Sequence, residues 1–238
     1  MGRAHEVRAK SMAASAAARS ALFLRASKEI YMAAKNGEPD PQNNLALRSA
    51  IEKWRGQNVT KDVIERAIQK AKGGSAESYT PGRYEGFGAG ESQLIVDTLS
   101  DNTTRAFVEV RNAFNKKGRN LGNPGSVSFN FTELAVLEFD GTNRDEIEET
   151  LIMADVDVNS VECDEDFITV TAAPTALHAA KEALAELGIT EFDTCEIKMV
   201  PNELVTLNAE DEEKFKALLN MLSECEDVQN VYHNVKLS

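Results

Sequence analysis

The sequence is poor in the features that mark secreted and membrane proteins. It has three cysteines, Cys163, Cys195 and Cys225, and an odd number without Cys-x-x-Cys spacing indicates free thiols in a reducing compartment. No stretch approaches the roughly 18 uncharged apolar residues that a membrane span needs. An alanine-rich run stands where a secretory signal would have its apolar core. We therefore expect a cytoplasmic protein.

Groups that perform catalysis are equally scarce. The chain has three histidines, His5, His178 and His233, and none has a Cys, Asp or Glu at metal-ligand spacing. The glycine-rich segment 86–90 precedes a strand instead of joining a strand to a helix, which favours a tight turn over a phosphate-binding loop. The acidic clusters fall at predicted helix starts and in a hairpin turn, where solvated charge is the better interpretation. We expect no enzyme, no metal and no cofactor.

Positive charge is in deficit overall, but its distribution is uneven. The chain carries 26 Lys+Arg against 39 Asp+Glu, a formal charge of −13. Residues 1–80 have a net charge of +6, residues 81–131 of +1, and residues 132–238 of −20. A basic head on an acidic protein favours a segment that faces nucleic acid or the ribosome.

The first 78 residues show the apolar spacing of helices. Three stripes recur at helical period, marked by Phe23, Ile30 and Ala34, by Leu47, Ile51 and Trp54, and by Val63, Ile64, Ala67, Ile68 and Ala71. Gly37 and two prolines end the first helix, and Thr60 is placed to cap the third. A flexible, turn-rich linker follows at 73–82. We predict a three-helix domain.

The remaining sequence alternates between strands and helices. A strand begins at 94–96, Asp101 or Asn102 caps a helix that Gly118 ends, and 127–131 alternates as a strand. Then come a strand at 135–139, a helix around Ile147 and Leu151, strands at 158–162 and 167–171, a helix from Pro174 and a strand at 195–200. The tail predicts a strand at 204–207, a helix around 215–222 and a strand at 231–237.

These elements predict an α+β protein of three domains. The β-α-β-β-α-β order of residues 133–201 is that of a complete ferredoxin-like (split βαβ) domain. The two flanking β-α-β segments complete a second such domain if they join. We therefore predict a helical basic domain at 1–78, a discontinuous central domain at 79–132 and 202–238, and an acidic inserted domain at 133–201. The alternative is one mixed sheet shared by all the strands.

Two basic segments are candidates for binding nucleic acid. The first is the head, where residues 1–28 contain six cations and one acid. The second is the loop 116–126, whose glycines let backbone amides approach an anion while cations supply charge. Capping at the helix C-terminus explains part of that loop equally well, and Arg105 can pair with Glu109. The predicted contact residues are Arg3, Arg8, Lys10, Arg19, Arg25, Lys28, Arg105, Arg111, Lys116, Lys117, Arg119 and Asn120.

Motifs around this loop resemble the YebC/PmpR family. They are Tyr84-Glu85-Gly86-Phe87-Gly88, Ser100-Asp101-Asn102 with Arg105, Glu109-Val110-Arg111, Ala113-Phe114, Gly118, Asn120-Leu121-Gly122 and Gly125-Ser126-Val127. The opening Met1-Gly2-Arg3, the string Gly37-Glu38-Pro39-Asp40-Pro41 and the ending Val231-Tyr232-His233-Asn234-Val235 resemble its YeeN branch. The resemblance implies a helical head, two α/β domains and no catalysis. The sequence departs from the family's pattern at the N-terminus, where residues 4–18 lack the usual tryptophan and several lysines.

The resemblance also implies two regulatory roles. The family is described as transcriptional regulators that bind DNA, and some members as translation factors that act at the ribosome on proline-rich stalls. We therefore expect DNA or ribosomal RNA as the partner of the head and of the loop 116–126. A protein partner of the acidic domain, without any nucleic-acid binding, is the alternative from a different class.

Overall fold

The computed structural model of the chain describes residues 3–74 and 77–237, with side chains from residue 18 onward. Its helices are α1 (Arg3–Asn36), α2 (Leu45–Gly56), α3 (Lys61–Lys72), α4 (Thr103–Lys117), α5 (Arg144–Met153), α6 (Leu177–Glu186) and α7 (Ala209–Ser223). Its strands are β1 (Thr80–Phe87), β2 (Gln93–Ser100), β3 (Asn120–Leu121), β4 (Phe131–Asp140), β5 (Val158–Asp164), β6 (Phe167–Ala172), β7 (Thr194–Pro201) and β8 (Val228–His233). The chain forms two compact units: the first combines Met1–Phe129 with Glu203–Ser238, and the second is Asn130–Asn202.

The first unit begins with the three predicted helices, which share one apolar core. Ile30 of α1, Leu47 and Trp54 of α2 and Ile64 of α3 are all buried in it. The indole N–H of Trp54 also donates a hydrogen bond to the carboxylate of Glu29 at 3.1 Å, so this buried polar group has a partner. The prediction of a helical N-terminal segment is confirmed, with Trp54 in its core.

The sheet of the first unit has the strand order β3-β1-β2-β8, and every neighbouring pair is antiparallel. Helices α4 and α7 supply apolar residues to one core with this sheet, which includes Leu94, Val96, Val110, Phe114, Phe215 and Leu218. The helix α4 connects β2 to β3 across the intervening strand β1, which is the split βαβ arrangement.

Strand β1 was not predicted. It occupies residues where Pro81, Gly82 and the glycine-rich segment indicate a linker and a turn. Strand β3 pairs only with Gly86 and Phe87, so the first part of β1 lies on an open edge, where proline is tolerated. The predicted turn is confined to the end of the hairpin, where the N–H of Gly88 donates to the carbonyl of Ser92.

Two predicted strands of the first unit are wrong. Residues Ser128–Asn130 form a 3₁₀ helix, because the N–H groups of Val127 and Ser128 donate to the Glu85 carboxylate instead of to a strand. The strand predicted at 204–207 is reduced to one isolated bridge between Val205 and Val235. The last strand runs over Val228–His233, earlier than predicted. Strand β1 therefore takes the sheet position that the tail was expected to fill.

The second unit has the strand order β5-β6-β4-β7, also antiparallel throughout. This is the predicted ferredoxin-like order, and helices α5 and α6 pack on the sheet through a buried core that includes Leu137, Phe139, Leu151, Ile168 and Leu184. The unit contains 18 acidic and 3 basic residues, a net charge of −15, whereas the rest of the chain sums to +2.

The predicted α+β class, with a helical segment followed by two four-stranded antiparallel sheets, is confirmed. The boundaries predicted for three domains stay a prediction. Within the described ranges, no helix is both long enough and apolar enough to cross a membrane.

The close approach of β1 to α4 predicts that Gly86 tolerates no side chain. A Cβ there would overlap the ring of Phe114, which is fully buried and has no room to shift. We expect Gly86→Ala to lower the free energy of unfolding by about 1–3 kcal/mol, as overpacked cores do. The measurement is urea unfolding followed by circular dichroism. Gly56→Ala, at an exposed helix end with open space, is the control. A Gly86→Ala protein as stable as this control contradicts the prediction.

Candidate nucleic-acid interface

Helix α4 carries the main cluster of predicted contact residues, and local sequence determines where it begins and ends. The side chain of Asn102 accepts a hydrogen bond from the backbone N–H of Arg105 at 3.0 Å, which caps the first turn. At the other end, the N–H of Gly118 donates to the carbonyl of Phe114 at 2.8 Å. Lys116 and Lys117 therefore occupy the last turn, where the helix dipole favours cations.

The structure brings five predicted residues together at this end of α4. Arg111, Lys116, Lys117, Arg119 and Asn120 are all exposed. The guanidinium of Arg119 donates to the carbonyl of Gly90 at 3.2 Å, which holds it beside the β1–β2 turn. In the described part of the chain, neither Lys116 nor Lys117 takes part in an ion pair. Their charge is therefore available to a partner.

The loop after β3 binds an anion, but the anion is internal. The carboxylate of Glu85, on β1, accepts hydrogen bonds from the backbone N–H groups of Gly125, Val127 and Ser128 at 2.8, 2.6 and 2.8 Å. Burial of this carboxyl opposes its ionisation, but the backbone hydrogen bonds outweigh that effect and lower its pKa. The amides that were expected to approach a phosphate are therefore committed to Glu85.

A second buried carboxylate engages two of the predicted cations. The side chain of Asp227 is 1% exposed and accepts hydrogen bonds from Lys28 at 2.7 Å, from Arg105 at 2.8 Å and from the hydroxyl of Ser100 at 2.7 Å. Burial alone would raise the Asp227 pKa, and these three donors lower it instead. Arg105 pairs with Asp101 as well, and not with Glu109 as expected from helical spacing.

The other head cations divide into three groups. Arg25 is half-buried and donates to the backbone carbonyl of Ser223 at 2.6 Å, so it joins α1 to the end of α7. Arg19 is exposed. The side chains of Arg3, Arg8 and Lys10 lie outside those that the structure describes. The prediction that these residues contact nucleic acid stays a prediction.

Sequence reasoning missed both carboxylates that organise this region. Glu85 lies in strand β1, which was not predicted. The alternation of side chains between the two faces of a strand indicates a buried position at Glu85 only once that strand is recognised. Asp227 is 122 residues from Arg105 and 199 from Lys28, so no local pattern connects them. No pattern in the sequence marks the exposed ring of Phe107 on α4, because a phenylalanine there is compatible with the helical spacing.

Burial shifts the pKa of one cysteine and one histidine in the first unit. Burial raises the pKa of the Cys225 thiol to about 11, which keeps it protonated at neutral pH. Burial also lowers the pKa of His233, whose ring packs edge-on against Phe215 at 5.1 Å. Among the side chains described, those of residues 18–74 and 77–237, no three His, Cys, Asp or Glu are arranged to hold a metal ion.

The Glu85 contacts predict a loss of stability on Glu85→Gln that depends on pH. Since the folded-state pKa of Glu85 is depressed, its charge stabilises the fold at neutral pH, and this contribution is lost as pH falls through the folded pKa. We expect a loss of about 1.5–3 kcal/mol at pH 7, the usual range for hydrogen bonds to a charge. The gap should narrow below the ordinary glutamate pKa of about 4.3. Urea unfolding across pH measures it. Exposed Glu91→Gln is the control, and a gap that persists at low pH refutes the assignment.

The Asp227 contacts predict a larger effect. Asp227→Asn removes a negative charge from between Lys28 and Arg105, which leaves Lys28 without a counter-ion in a largely buried position. We expect the free energy of unfolding to fall by about 3 kcal/mol, as when one partner of a buried pair is removed. Asp101→Asn removes only the exposed partner of Arg105 and should cost less than about 1 kcal/mol. Equal effects of the two substitutions in urea unfolding would contradict the buried role.

The same architecture is found in known proteins. The model of the TACO1/YebC N-terminal domain matches residues 3–74, and the model of the TACO1/YebC second and third domain matches residues 79–235. A probable transcriptional regulatory protein of Mesoplasma florum is 50% identical over 240 residues, which cover 100% of both chains. One from Pseudoalteromonas translucida is 45% identical, covering 99% of this chain and 100% of its own.

A solved structure agrees with these relatives. The crystal structure of a conserved hypothetical protein from Aquifex aeolicus has a TM-score of 0.77 and 33% sequence identity, covering 92% of this chain and 90% of its own. The likeness to the YeeN branch stays a prediction. With both domain models matched and relatives that align over the whole length, the chain belongs to the TACO1/YebC family.

Proposed function

We propose that the chain is a non-enzymatic regulatory factor of the cytoplasm that binds nucleic acid through the C-terminal end of α4. The observation that carries this proposal is the exposed group Arg111, Lys116, Lys117 and Arg119, which lies within nine residues of sequence. The two lysines have no ion-pair partner among the described residues, so phosphates would meet cations that are not already neutralised. Release of the counter-ions that surround a nucleic acid would drive the association.

Internal contacts narrow this interface relative to the sequence prediction. Lys28 and Arg105 are bound to Asp227, and Arg25 to the carbonyl of Ser223, so these three are assigned to the fold. The amides of the loop 125–128 are likewise occupied by Glu85. Of the predicted contact residues whose side chains the structure describes, those at the end of α4 and Arg19 in the head remain exposed to phosphates.

The second unit is unsuited to a polyanion. Its net charge of −15 repels phosphates, while the first unit is near neutral and has the exposed cations Arg111, Lys116, Lys117 and Arg119 at the end of α4. We assign nucleic-acid contact to the first unit, and we reserve the second for solvent or for a protein partner.

Duplex DNA is the first target to test, since the relatives from Mesoplasma florum and Pseudoalteromonas translucida are named as probable transcriptional regulatory proteins. Structured RNA of the ribosome is the second candidate. The observation that favours it is an exposed aromatic ring, Phe107, beside Arg111 on the same helix. Aromatic rings and guanidinium planes stack on unpaired bases, which RNA exposes in loops and bulges.

Replacing Lys116, Lys117 and Arg119 together by Ala should weaken binding through lost phosphate contacts. If all three engage duplex DNA, the slope of log K against log salt should become shallower by about 2.7, which is roughly 0.9 per contact. The measurement is fluorescence anisotropy with a labelled duplex at several salt concentrations, alongside co-sedimentation with purified ribosomes. The matched control replaces Arg48, Arg55 and Lys72, exposed cations of α2 and α3 with no ion-pair partner among the described residues, by Ala.

The outcomes separate the candidates. Loss of duplex binding alone favours transcription, and loss of ribosome binding alone favours translation. If the wild-type protein binds neither, or if the triple variant and its control behave alike, the interface on α4 is wrong. A role of the acidic unit in protein binding then becomes the better account.

A further inference from the structure

The outer surface of α4 combines an aromatic ring with a cation in one stack. The ring of Phe107 is 38% exposed, and the guanidinium carbon of Arg111, one turn along the helix, lies 5.3 Å from its centroid. The ring of Tyr84, on β1, lies 6.0 Å from the Phe107 ring at an angle of 42°. Tyr84 is partly buried against the core of the first unit, so the stack rests on the sheet.

The residues around this stack distinguish it from an isolated exposed side chain. A single exposed apolar side chain needs no explanation. Here, however, the row that follows Phe107 at helical spacing continues with Arg111 and Asn115, and the adjacent row is Val108, Asn112 and Lys116, all of them exposed. Val108 is 37% exposed, so the apolar part of the patch extends beyond the ring. One helix face therefore presents stacking surface, amide groups and positive charge together.

We propose that this face binds an unpaired segment of an RNA chain, with a base stacked on Phe107 and Arg111 and the flanking phosphates near Arg111 and Lys116. The inference rests on the proposed function and deepens it by naming the state of the nucleic acid. A base inside a duplex keeps its faces covered by its neighbours, so an aromatic platform gains nothing from it. Unpaired bases are the ordinary state of RNA loops and bulges, and the amides of Asn112 and Asn115 can bond a 2′-hydroxyl.

The test compares variants at position 107 on matched probes. The probes are a labelled 12-nucleotide single-stranded RNA, the same sequence as single-stranded DNA, and an RNA duplex of equal length, each titrated by anisotropy. Phe107→Leu keeps an apolar side chain but removes the ring. We expect it to weaken binding of single-stranded RNA by about five- to hundred-fold, the range of one base–aromatic stack, and to leave duplex binding unchanged. Leu45→Ala, which removes an exposed apolar side chain of α2 outside this face, is the control.

A spectroscopic variant reports stacking directly. Phe107→Trp should retain the affinity for single-stranded RNA, and its fluorescence should be quenched as RNA saturates. The native Trp54 is 2% exposed and contributes a constant background. Because stacking involves no ion release, the Leu variant should keep the wild-type salt slope, whereas Arg111→Gln should make it shallower. Equal thermal midpoints of wild type and Phe107→Leu establish that the fold is unchanged.

Three results overturn the inference. They are equal affinity of Phe107→Leu and wild type for single-stranded RNA, an unquenched Trp at saturation, and a wild-type preference for duplex or for single-stranded DNA. A wild-type protein that binds duplex DNA with a normal salt slope and ignores single strands contradicts this inference but leaves the proposed function standing. A protein that binds none of these probes, no duplex DNA and no ribosomes contradicts both.

Discussion

The packing of α1 and α4 on the sheet of the first unit depends on one buried carboxylate. Asp227 lies just before β8, and its side chain receives Lys28 from α1, Ser100 from the end of β2 and Arg105 from α4. Its backbone carbonyl accepts from the N–H of Leu99 at 2.8 Å as well. A charge with 1% exposure persists only when it is paired and hydrogen-bonded, so these partners must come together in the folded chain. The arrangement ties the head helix and α4 to the edge of the sheet.

Buried carboxylates also decide which positive groups reach the surface. Asp227 engages Lys28 and Arg105, and Glu85 engages three backbone amides of the loop after β3. A net charge counted along the sequence includes the paired side chains Lys28 and Arg105 as though they were free. The +6 of the first 80 residues therefore overstates the head, whereas the near-neutral middle segment carries the exposed cations Lys116 and Lys117 on α4.

Local patterns predicted what is local in this fold. The apolar stripes gave the helices, Asn102 and Gly118 marked the ends of α4, and the element order of the second unit matched its sheet. Strand β1 was not predicted because its Pro81 and glycines resemble a linker. Gly86 has a structural role, since the ring of Phe114 lies against it and leaves no space for a side chain. The contacts of Glu85 and Asp227 join residues 40 or more apart, and only tertiary packing specifies such pairs.

Recognition of a nucleic acid also requires two kinds of contact. Phosphate contacts fix position and carry no base information, so Lys116, Lys117 and Arg119 cannot by themselves distinguish one nucleic acid from another. Discrimination requires a group that responds to the base or to its pairing state. In the proposed RNA contact, the stack of Phe107 on Arg111 is the group that would do so, and the ring of Tyr84, in contact with Phe107, connects its position to β1. Because Arg105, one turn before Val108 and Glu109, is held by Asp227, the contact that stabilises the first unit also fixes the first turn of the helix that carries the proposed RNA-binding face.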